Sequence, residues 1–225
     1  MSSLPRVLIT CGPSHEPIDQ VRRLTNFSTG GLGMMIAEAM SRHGYPVICF
    51  KGEGATTKLE AQGVEVIEFS TNDHLHDLLA KVQEPESVLA LFHAAALCDF
   101  KIQSIETRQK QQVGEGKISS RAGEVHLTLT PALKLISHLR PLFPATHIYG
   151  WKYEVEGDPS DVIAKGLSQI SSNKTDACIV NGPAYGEGFG FLSGSGKLDH
   201  ISTRPALCDY LVNHLAAGDR THEKR

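Results

Sequence analysis

Short apolar runs and amphipathic stretches alternate along most of this chain. Each run has the length and content of a buried β-strand, and the runs occupy residues 6–10, 45–50, 64–69, 87–93, 147–151 and 176–181. Apolar residues with helical spacing follow most of them, in stretches that include Met35, Leu78, Leu139, Leu167 and Leu211. Strands that alternate with helices predict an α/β fold of the Rossmann-like, doubly wound type, with a mostly parallel sheet.

Local signals indicate where these helices begin and end. Gly44 ends the first helix, Thr71 caps the second, Pro131 begins the third and Asp158 caps the fourth. Between the second and third runs, residues 57–62 carry only a weak helical pattern. Each signal agrees with the strand that precedes or follows it, so the alternation is expected along one continuous domain.

Three stretches depart from this alternation. Residues 101–130 are polar, apart from alternating apolar positions at 125, 127 and 129, which predicts an extended flap. Residues 189–201 predict a C-terminal β-hairpin around a Gly-Ser-Gly turn, and residues 218–225 a frayed tail. With no internal repeat and no linker, residues 1–225 are expected to form a single domain.

Composition favours a small-molecule partner. The formal net charge is −3, and residues of both signs are scattered along the chain, so the sequence predicts no basic surface that would bind nucleic acid or an anionic membrane. The five cysteines are widely spaced and suggest reduced core thiols. No apolar run approaches the ~20 residues that span a bilayer, and the N-terminus lacks a signal-peptide pattern. A cytoplasmic location is expected.

The most informative stretch is the long connection in residues 10–33, which reads TCGPSHEPIDQVRRLTNFSTGGLG. It joins the first strand to the first helix, where backbone N–H groups and a helix N-terminus can hold a phosphate. Its glycines alone are a weak signal, because they do not give G-x-G-x-x-G. Its crowded polar residues in a loop far longer than usual predict a binding site.

This loop resembles the signature of the phosphopantothenate–cysteine ligases, the amide-forming enzymes of coenzyme A synthesis. Their loop reads close to T-x-G-x-T-x-E-P-I-D-x-V-R-x-[LI]-[ST]-N-x-S-[ST]-G-x-x-G, and nearly every position is met here. Pro13 and Ser14 are mild departures from that pattern. The resemblance implies that Asn26 and Arg22 are catalytic and that the substrate-binding residues of this loop are Gly12, Ser28, Thr29 and Gly30.

Later segments extend the resemblance. Residues 94–100 are similar to A-A-x-x-D-[YF], which implies substrate contacts at Ala95 and Ala96 and a nucleotide contact at Asp99. Without the family, tight helix packing explains the alanines as well. Residues 117–120 resemble the flap motif K-I-K-K or K-I-K-S, which implies a catalytic Lys117 that reaches the phosphates, with Ser119 in place of the second Lys. Considered alone, Lys117 is a solvated surface charge.

Three further segments imply nucleotide contacts. Residues 129–136 resemble L-x-x-[NT]-P-D-I-L and residues 150–154 resemble G-F-x-x-E, while the sixth run ends as D-x-I-V-A-N-D does. The nucleotide-binding residues implied are Thr130, Pro131, Ala132, Leu133, Trp151 and Asn181. A buried core Trp explains Trp151 equally well. Ala132 replaces the usual Asp, and the lysines that the family carries before the sixth strand are Gln169 and Asn173 here, with Lys165 and Lys174 nearby but out of register.

The resemblance implies a ligase that joins 4′-phosphopantothenate to L-cysteine through an acyl-nucleotide, with release of pyrophosphate and a nucleoside monophosphate. CTP is expected as co-substrate, with ATP as the alternative and Mg²⁺ as the cation through ligands that the sequence does not identify. The resemblance also implies a homodimer. The flavin-dependent decarboxylase often fused in front of this domain is absent, so a free-standing ligase with a separate decarboxylase partner is expected.

Two other functions remain open on the sequence. A Rossmann-type oxidoreductase would use the same strand, loop and helix, but G-x-G-x-x-G and a Tyr-x-x-x-Lys pair are missing and the second strand ends in Phe50-Lys51 without an acidic residue. A degenerate nucleotide-binding relative without ligase activity would explain the departures in the flap and before the sixth strand.

Overall fold

The structure is a computed structural model that describes residues 5–107 and 116–222. Within these ranges the strands are β1 (Arg6–Cys11), β2 (His15–Pro17), β3 (Arg23–Thr25), β4 (Val47–Gly52), β5 (Val64–Phe69), β6 (Val88–His93), β7 (Phe100–Thr107), β8 (Val125–Pro131), β9 (His147–Tyr153), β10 (Ala177–Asn181), β11 (Phe189–Ser193) and β12 (Leu198–Ile201). The helices are α1 (Gly31–Arg42), α2 (Asn72–Ala80), α3 (Ile136–Leu142), α4 (Pro159–Asn173) and α5 (Arg204–His222). All six predicted strands are present, within a few residues of their expected bounds.

In the described ranges, eight strands form one central sheet in the order β12-β11-β10-β9-β6-β1-β4-β5. The strands from β10 to β5 are parallel, and β11 and β12 add the predicted hairpin in antiparallel pairing. Strand β1 lies at the centre because its apolar residues are buried on both faces, from Val7 to Cys11. The Rossmann-like, doubly wound architecture is confirmed.

Helices cover both faces of the sheet. Helices α1 and α5 pack on one face over a core that includes Ile9, Ile36, Phe92 and Leu211. Helices α2 and α3 pack on the other over Leu8, Leu75 and Leu139, and α4 continues that layer along β9 and β10. The two cores are built from alternate residues of the same strands, since successive strand side chains point to opposite faces.

Several predicted details are wrong. Pro131 does not begin a helix but ends β8, and α3 begins at Ile136, since the intervening residues form a turn. Residues 57–62 form no helix, so β4 connects to β5 through an irregular loop. The face that α4 buries contains Val162 and Gly166, whereas Leu167 is largely exposed.

The C-terminal helix is longer than the sequence predicts. Helix α5 continues past Gly218 to His222, so the frayed tail does not begin at Gly218. A single glycine inside a helix costs only about 1 kcal/mol relative to alanine and does not by itself end the helix. Residues 223–225 of the predicted tail lie outside the described residues.

The predicted flap has regular structure at its base. Strands β7 and β8 pair antiparallel as a separate two-stranded ribbon, from Phe100 opposite Pro131 to Thr107 opposite Val125. A second ribbon, β2 with β3, lies within the long loop after β1. Residues 108–115 of the flap are outside the described residues. The two ribbons project from the carboxyl edge of the central sheet and frame the candidate site.

Candidate active site

The site lies where the sheet changes its winding direction. The chain passes from β1 through α1 to β4 on one side, and from β5 through α2 to β6 on the other. The carboxyl ends of β1 and β6 therefore border the crevice in which open α/β sheets bind their ligands. Ala96 N–H donates to Gly12 O at 2.9 Å and Ser14 N–H donates to Ala96 O at 3.2 Å, so the two predicted substrate-binding segments are adjacent.

Glycine is required at two turns of this crevice. Gly12 and Gly30 have φ of +77° and +74°, and a Cβ on either would lie 2.9 and 3.0 Å from the Ala55 Cβ. A larger residue would thus be strained at both positions. The backbone of the two turns lies close together and leaves peptide groups at the crevice wall.

The N-terminus of α1 provides free donors beside these turns. Gly30 is the N-cap and, as a glycine, supplies no side-chain cap, and no acidic residue lies in the first turn. Thr29 Oγ1 accepts from Gly31 N–H at 3.2 Å, and Ser28 is half-buried next to it. The remaining N–H groups of the first turn and the helix dipole favour an anion at this position.

Asn26 connects the long loop to the segment after β6. Its Nδ2 donates to Leu97 O at 2.8 Å and lies 3.5 Å from Ala96 O, while the residue remains exposed. Ser14 Oγ accepts from Cys98 N–H at 2.8 Å and holds the same segment from the other side. The predicted catalytic amide thus lies beside Ala96, and among the described residues no hydrogen bond engages its Oδ1.

The flap is fastened to the long loop through Asp19. The carboxylate accepts from the backbone N–H groups of Val21 (2.8 Å), Arg22 (2.7 Å) and Ile118 (3.0 Å), and from Arg22 Nη1 at 2.6 Å. Arg22 Nη1 also donates to Ile118 O at 3.2 Å. Burial of the carboxylate opposes its ionisation, but these donors outweigh burial and lower the Asp19 pKa to about 2. The carboxylate is therefore ionised at neutral pH.

This contact places the predicted flap residue Lys117 next to the long loop after β1. Lys117 precedes the buried Ile118, is itself exposed, and forms no hydrogen bond or ion pair within the described ranges. A cavity of about 270 Å³ lies under the flap, lined by Ile18, Arg22, Ile118, Ser119, Ser120, Gly123, Val125 and Leu127. Ser119, which replaces the family's second Lys, lines this cavity but carries no charge.

The next group of predicted residues lies at the base of the β7–β8 ribbon. Ala132 N–H donates to Asp99 O at 2.9 Å, and Thr130 and Pro131 pair with Lys101 and Phe100. Leu133 O accepts from the Asn72 amide. The structure thus brings Asp99 together with residues 130–133, although Ala132 offers only its backbone where the family has a carboxylate.

Trp151 and Asn181 lie together on neighbouring strands. Glu154 N–H donates to Asn181 O at 3.0 Å, and Asn181 Oδ1 is buried without a hydrogen-bond partner in the part of the chain described. Trp151 is half-buried against the α1/α5 core. No hydrogen bond between described residues connects these two to Asp99 or Ala132.

The two positions that replace family lysines are turned inward. Gln169 Nε2 donates to Trp151 O at 3.1 Å and Gln169 Oε1 accepts from Cys178 Sγ. Asn173 is buried and its Nδ2 donates to Gln169 O at 2.8 Å. Both amides therefore stabilise the packing of α4 on β9 and β10 and present no positive charge.

Two other lysines, Lys152 on β9 and Lys165 on α4, meet at Glu154 just after the end of β9. Glu154 accepts from Lys165 and is 3.0 Å from Lys152 Nζ, and these ammonium groups, Lys165 foremost, lower the Glu154 pKa. The hydrogen bond to Glu154, together with the nearby Asp161 and Glu156, raises the Lys165 pKa, so Lys165 is charged at neutral pH. Lys165 extends from α4 one turn before Gln169, as its sequence position allows.

Sequence reasoning missed three polar residues of this region. Asp19 lies inside the loop signature, and its position there was a usable signal. Asn72 binds two backbone segments distant in sequence. His93 is hydrogen-bonded through Nδ1 to Thr10 Oγ1 at 2.7 Å, and burial lowers its pKa to about 4. No local sequence signal marks the contacts of Asn72 or of His93.

No metal site is present among the described residues. No group of three or more His, Cys, Asp or Glu side chains in that part of the chain is arranged to hold a metal ion. The described helices also include none long and apolar enough to cross a membrane.

Comparison with known proteins places this geometry in context. The coenzyme A biosynthesis bifunctional protein CoaBC of Mycolicibacterium smegmatis is 31% identical over 228 residues, which cover 96% of this chain and 50% of the relative. This chain spans about half the length of the curated relatives it matches.

Solved structures share the fold. The DNA/pantothenate metabolism flavoprotein of Streptococcus pneumoniae superposes with a TM-score of 0.83 at 22% identity, over 94% of this chain and 98% of the other. The Cab2 protein in complex with phosphopantothenate-cysteine superposes with a TM-score of 0.71 at 18% identity, over 99% and 90%. The sequence profile of the DNA/pantothenate metabolism flavoprotein C-terminal domain matches residues 3–203, and the chain therefore belongs to that family.

Proposed function

We propose that this protein is a phosphopantothenate–cysteine ligase. One observation carries the proposal: the loop of residues 10–33 and the segment after β6 meet at the switch point of the sheet, with Asn26 bonded to Leu97 and the N-terminus of α1 open beside them. This arrangement offers anion-binding backbone groups and a carboxamide to one substrate. Two comparisons support the same reaction. The similar curated proteins are named coenzyme A biosynthesis bifunctional proteins, and the similar Cab2 structure was solved with phosphopantothenate-cysteine.

The substrate's phosphate fits the first wall of the site. We assign it to Ser28, Thr29 and Gly30, because the first turn of α1 supplies free N–H groups and carries no competing carboxylate. The pantothenate carboxylate then extends toward Gly12, Ala95 and Ala96. Small residues there let a ligand approach the backbone closely.

In the first step, the carboxylate of 4′-phosphopantothenate attacks the α-phosphate of a nucleoside triphosphate. A P–O bond forms, the bond to the β-phosphate breaks, and pyrophosphate leaves. Charge that concentrates on the α- and β-phosphates calls for cationic and N–H donors. Lys117, fixed near Arg22 by the Ile118 contact, supplies one such cation.

In the second step, the amine of cysteine attacks the acyl carbonyl and the nucleoside monophosphate leaves with the electrons of the C–O bond. The carbonyl oxygen becomes an oxyanion, which requires a donor. We assign this role to the Asn26 amide, because beside its bond to Leu97 O its Nδ2 makes only a long, 3.5 Å contact with Ala96 O, which an oxyanion can replace.

The nucleotide binds along the second wall of the site, which we define as Asp99, residues 130–133 and Asn181. CTP is the proposed co-substrate, with ATP as the alternative. Mg²⁺ would arrive coordinated by the triphosphate, since the described side chains offer no cluster to hold it. The unpartnered Asn181 Oδ1 suits a ligand donor.

We further propose a homodimer and a separate flavin-dependent decarboxylase partner. Large apolar side chains are exposed around the flap base, among them Phe27, Phe100 and Leu129 at 110, 50 and 42%. A second copy would cover this surface. Five reduced, buried cysteines within the described chain favour a cytoplasmic location.

A product assay tests the function. Purified protein is incubated with phosphopantothenate, cysteine, Mg²⁺ and each nucleoside triphosphate in turn, and the products are identified by mass spectrometry. The ligase produces phosphopantothenoylcysteine and a nucleoside monophosphate only when cysteine is present, and without cysteine it releases pyrophosphate for a single turnover only. Nucleotide binding without product would indicate a degenerate relative, and oxidation of NAD(P)H with no ligation would indicate an oxidoreductase.

A further inference from the structure

A single buried amide holds both ends of the flap excursion. Asn72, the first residue of α2, donates from Nδ2 to Cys98 O at 2.8 Å and to Leu133 O at 3.0 Å. Cys98 immediately precedes Asp99, and Leu133 immediately follows Ala132. One side chain therefore fixes the chain where it leaves the core for the β7–β8 ribbon and where it returns.

Other contacts join the two ends to each other, but in a different way. Asp99 O accepts from Ala132 N–H at 2.9 Å, and the β7–β8 pairing continues from Phe100 and Pro131 outward. These bonds make the ribbon a unit, yet they do not set its position relative to the core. Asn72 does so from α2, whose Leu75 and Leu79 are anchored in the core.

The chemistry of Asn72 argues for a role beyond stability. The residue is 2% exposed, and its Oδ1 is buried with no hydrogen-bond partner in the described ranges. A buried unpaired acceptor costs about 1–3 kcal/mol, which offsets much of the gain from the two donated bonds. Buried polar atoms that lack a hydrogen-bond partner occur preferentially at functional sites.

We infer that Asn72 is a positioning residue for nucleotide binding. Both N–H hydrogens of its amide hold the Asp99 and Ala132 backbones in register, so that the second wall of the site is formed before the nucleotide arrives. This inference rests on the proposed ligase function and assigns Asn72 no contact with substrate. Its loss should weaken nucleotide binding and leave the phosphopantothenate wall, which Ser14 and Asn26 hold, in place.

The test compares Asn72→Ala with Thr146→Val. Thr146 is equally buried and donates to Val88 O at 2.8 Å, but at the amino ends of β6 and β9, on the opposite edge of the sheet. Asn72→Asp serves as a second variant, which keeps the shape of the side chain and removes its N–H donors. The readouts are the calorimetric Kd of Mg-CTP and Mg-ATP and the KM of each substrate.

Asn72→Ala is expected to raise the nucleotide Kd and KM roughly tenfold, as loss of a buried hydrogen bond allows, with the KM for phosphopantothenate unchanged. Thr146→Val should lower the melting temperature without this selective effect. If Asn72→Ala does not fold, the same selective rise is expected of Asn72→Asp.

Wild-type nucleotide affinity in both Asn72 variants, or equal weakening of every substrate, overturns the inference. A selective nucleotide effect in Thr146→Val overturns it as well. If the wild-type protein itself yields no ligated product, the proposed function fails instead, so the two failures are distinguishable.

Discussion

The Asp19 carboxylate and the Ile118 backbone N–H, 99 residues apart, are joined by a 3.0 Å hydrogen bond that fastens the flap to the long loop after β1. Three other donors hold the same carboxylate. This carboxylate thus holds the Ile118 segment of the flap, whose base Asn72 holds, and the position of Lys117 depends on Asp19 because Lys117 precedes Ile118.

Asp19→Ala is expected to lower turnover by roughly 10–100-fold, because a misplaced catalytic group can cost on that order. Folding should be retained, since Asp19 lies outside the core clusters. Steady-state kinetics and thermal melting measure the two effects. Asp209→Ala, an exposed change on α5, is the control, and equal activity in both variants would contradict the role of the contact.

Asn26→Asp is expected to lower turnover by a factor on the order of 10²–10³, which is the usual effect of losing one oxyanion donor. The carboxylate would also lie against the Leu97 and Ala96 carbonyl oxygens. Circular dichroism and the melting temperature should remain as in the wild type. Asn213→Asp, on the exposed side of α5, controls for the charge, and full activity in Asn26→Asp would refute the assignment.

Nucleotide affinity is expected to depend on Lys165. Because Gln169 and Asn173 face inward, we expect a triphosphate at the ends of β9 and β10 to meet Lys165, which contacts Glu154 together with Lys152. Lys165→Gln should weaken triphosphate binding about fivefold, in line with the energy of exposed charge pairs. Lys197→Gln, which changes a lysine on β11–β12 paired with Asp199, is the control.

Calorimetric titration also decides between the nucleotides. We expect CTP with Mg²⁺ to bind more tightly than ATP. Tight ATP binding with undetectable CTP binding would reverse the nucleotide assignment, and an unchanged Kd in Lys165→Gln would remove Lys165 from the site.

The proposed dimer predicts a concentration-dependent mass. Light scattering at micromolar concentration should give twice the chain mass, and Leu129→Glu should shift the protein toward monomer because it charges an exposed apolar position on the ribbon. Val66→Glu, at a comparably exposed position on the edge strand β5, should not. A wild-type monomer active at that concentration would rule out an obligate dimer.

His93 predicts a pH dependence of stability. Burial lowers its pKa to about 4 in the folded protein, below the ~6.5 of an unfolded chain. The unfolded state therefore binds the proton first, and the free energy of unfolding should fall as pH decreases from ~6.5 toward ~4, by up to about 3 kcal/mol. Above pH ~6.5 the contribution is complete.

Urea unfolding at a series of pH values measures this effect. His93→Asn lacks the titrating group, so its stability should depend less steeply on pH over the same interval. Parallel curves for the two proteins would show that His93 is not responsible.

The sequence predicted the strands well because their apolar runs are buried on both faces, as Val88–His93 and Ala177–Asn181 are. It failed where tertiary contacts decide. Pro131 suggested a helix start, yet pairing with Phe100 extends β8 through it. The family pattern predicts site roles for Asn26 and Asp99, but no local signal marks Asn72, whose two partners are 26 and 61 residues away.

The order of strands in the sheet has a consequence for synthesis. Beyond β6, the strands β9, β10, β11 and β12 lie side by side in the order in which the ribosome makes them. The pairing of β1, β4, β5 and β6 is complete in the N-terminal part of the chain, and each later strand finds its partner strand already in place. The second half of the protein can therefore assemble during translation by successive addition to one edge, without reopening strand pairs already formed.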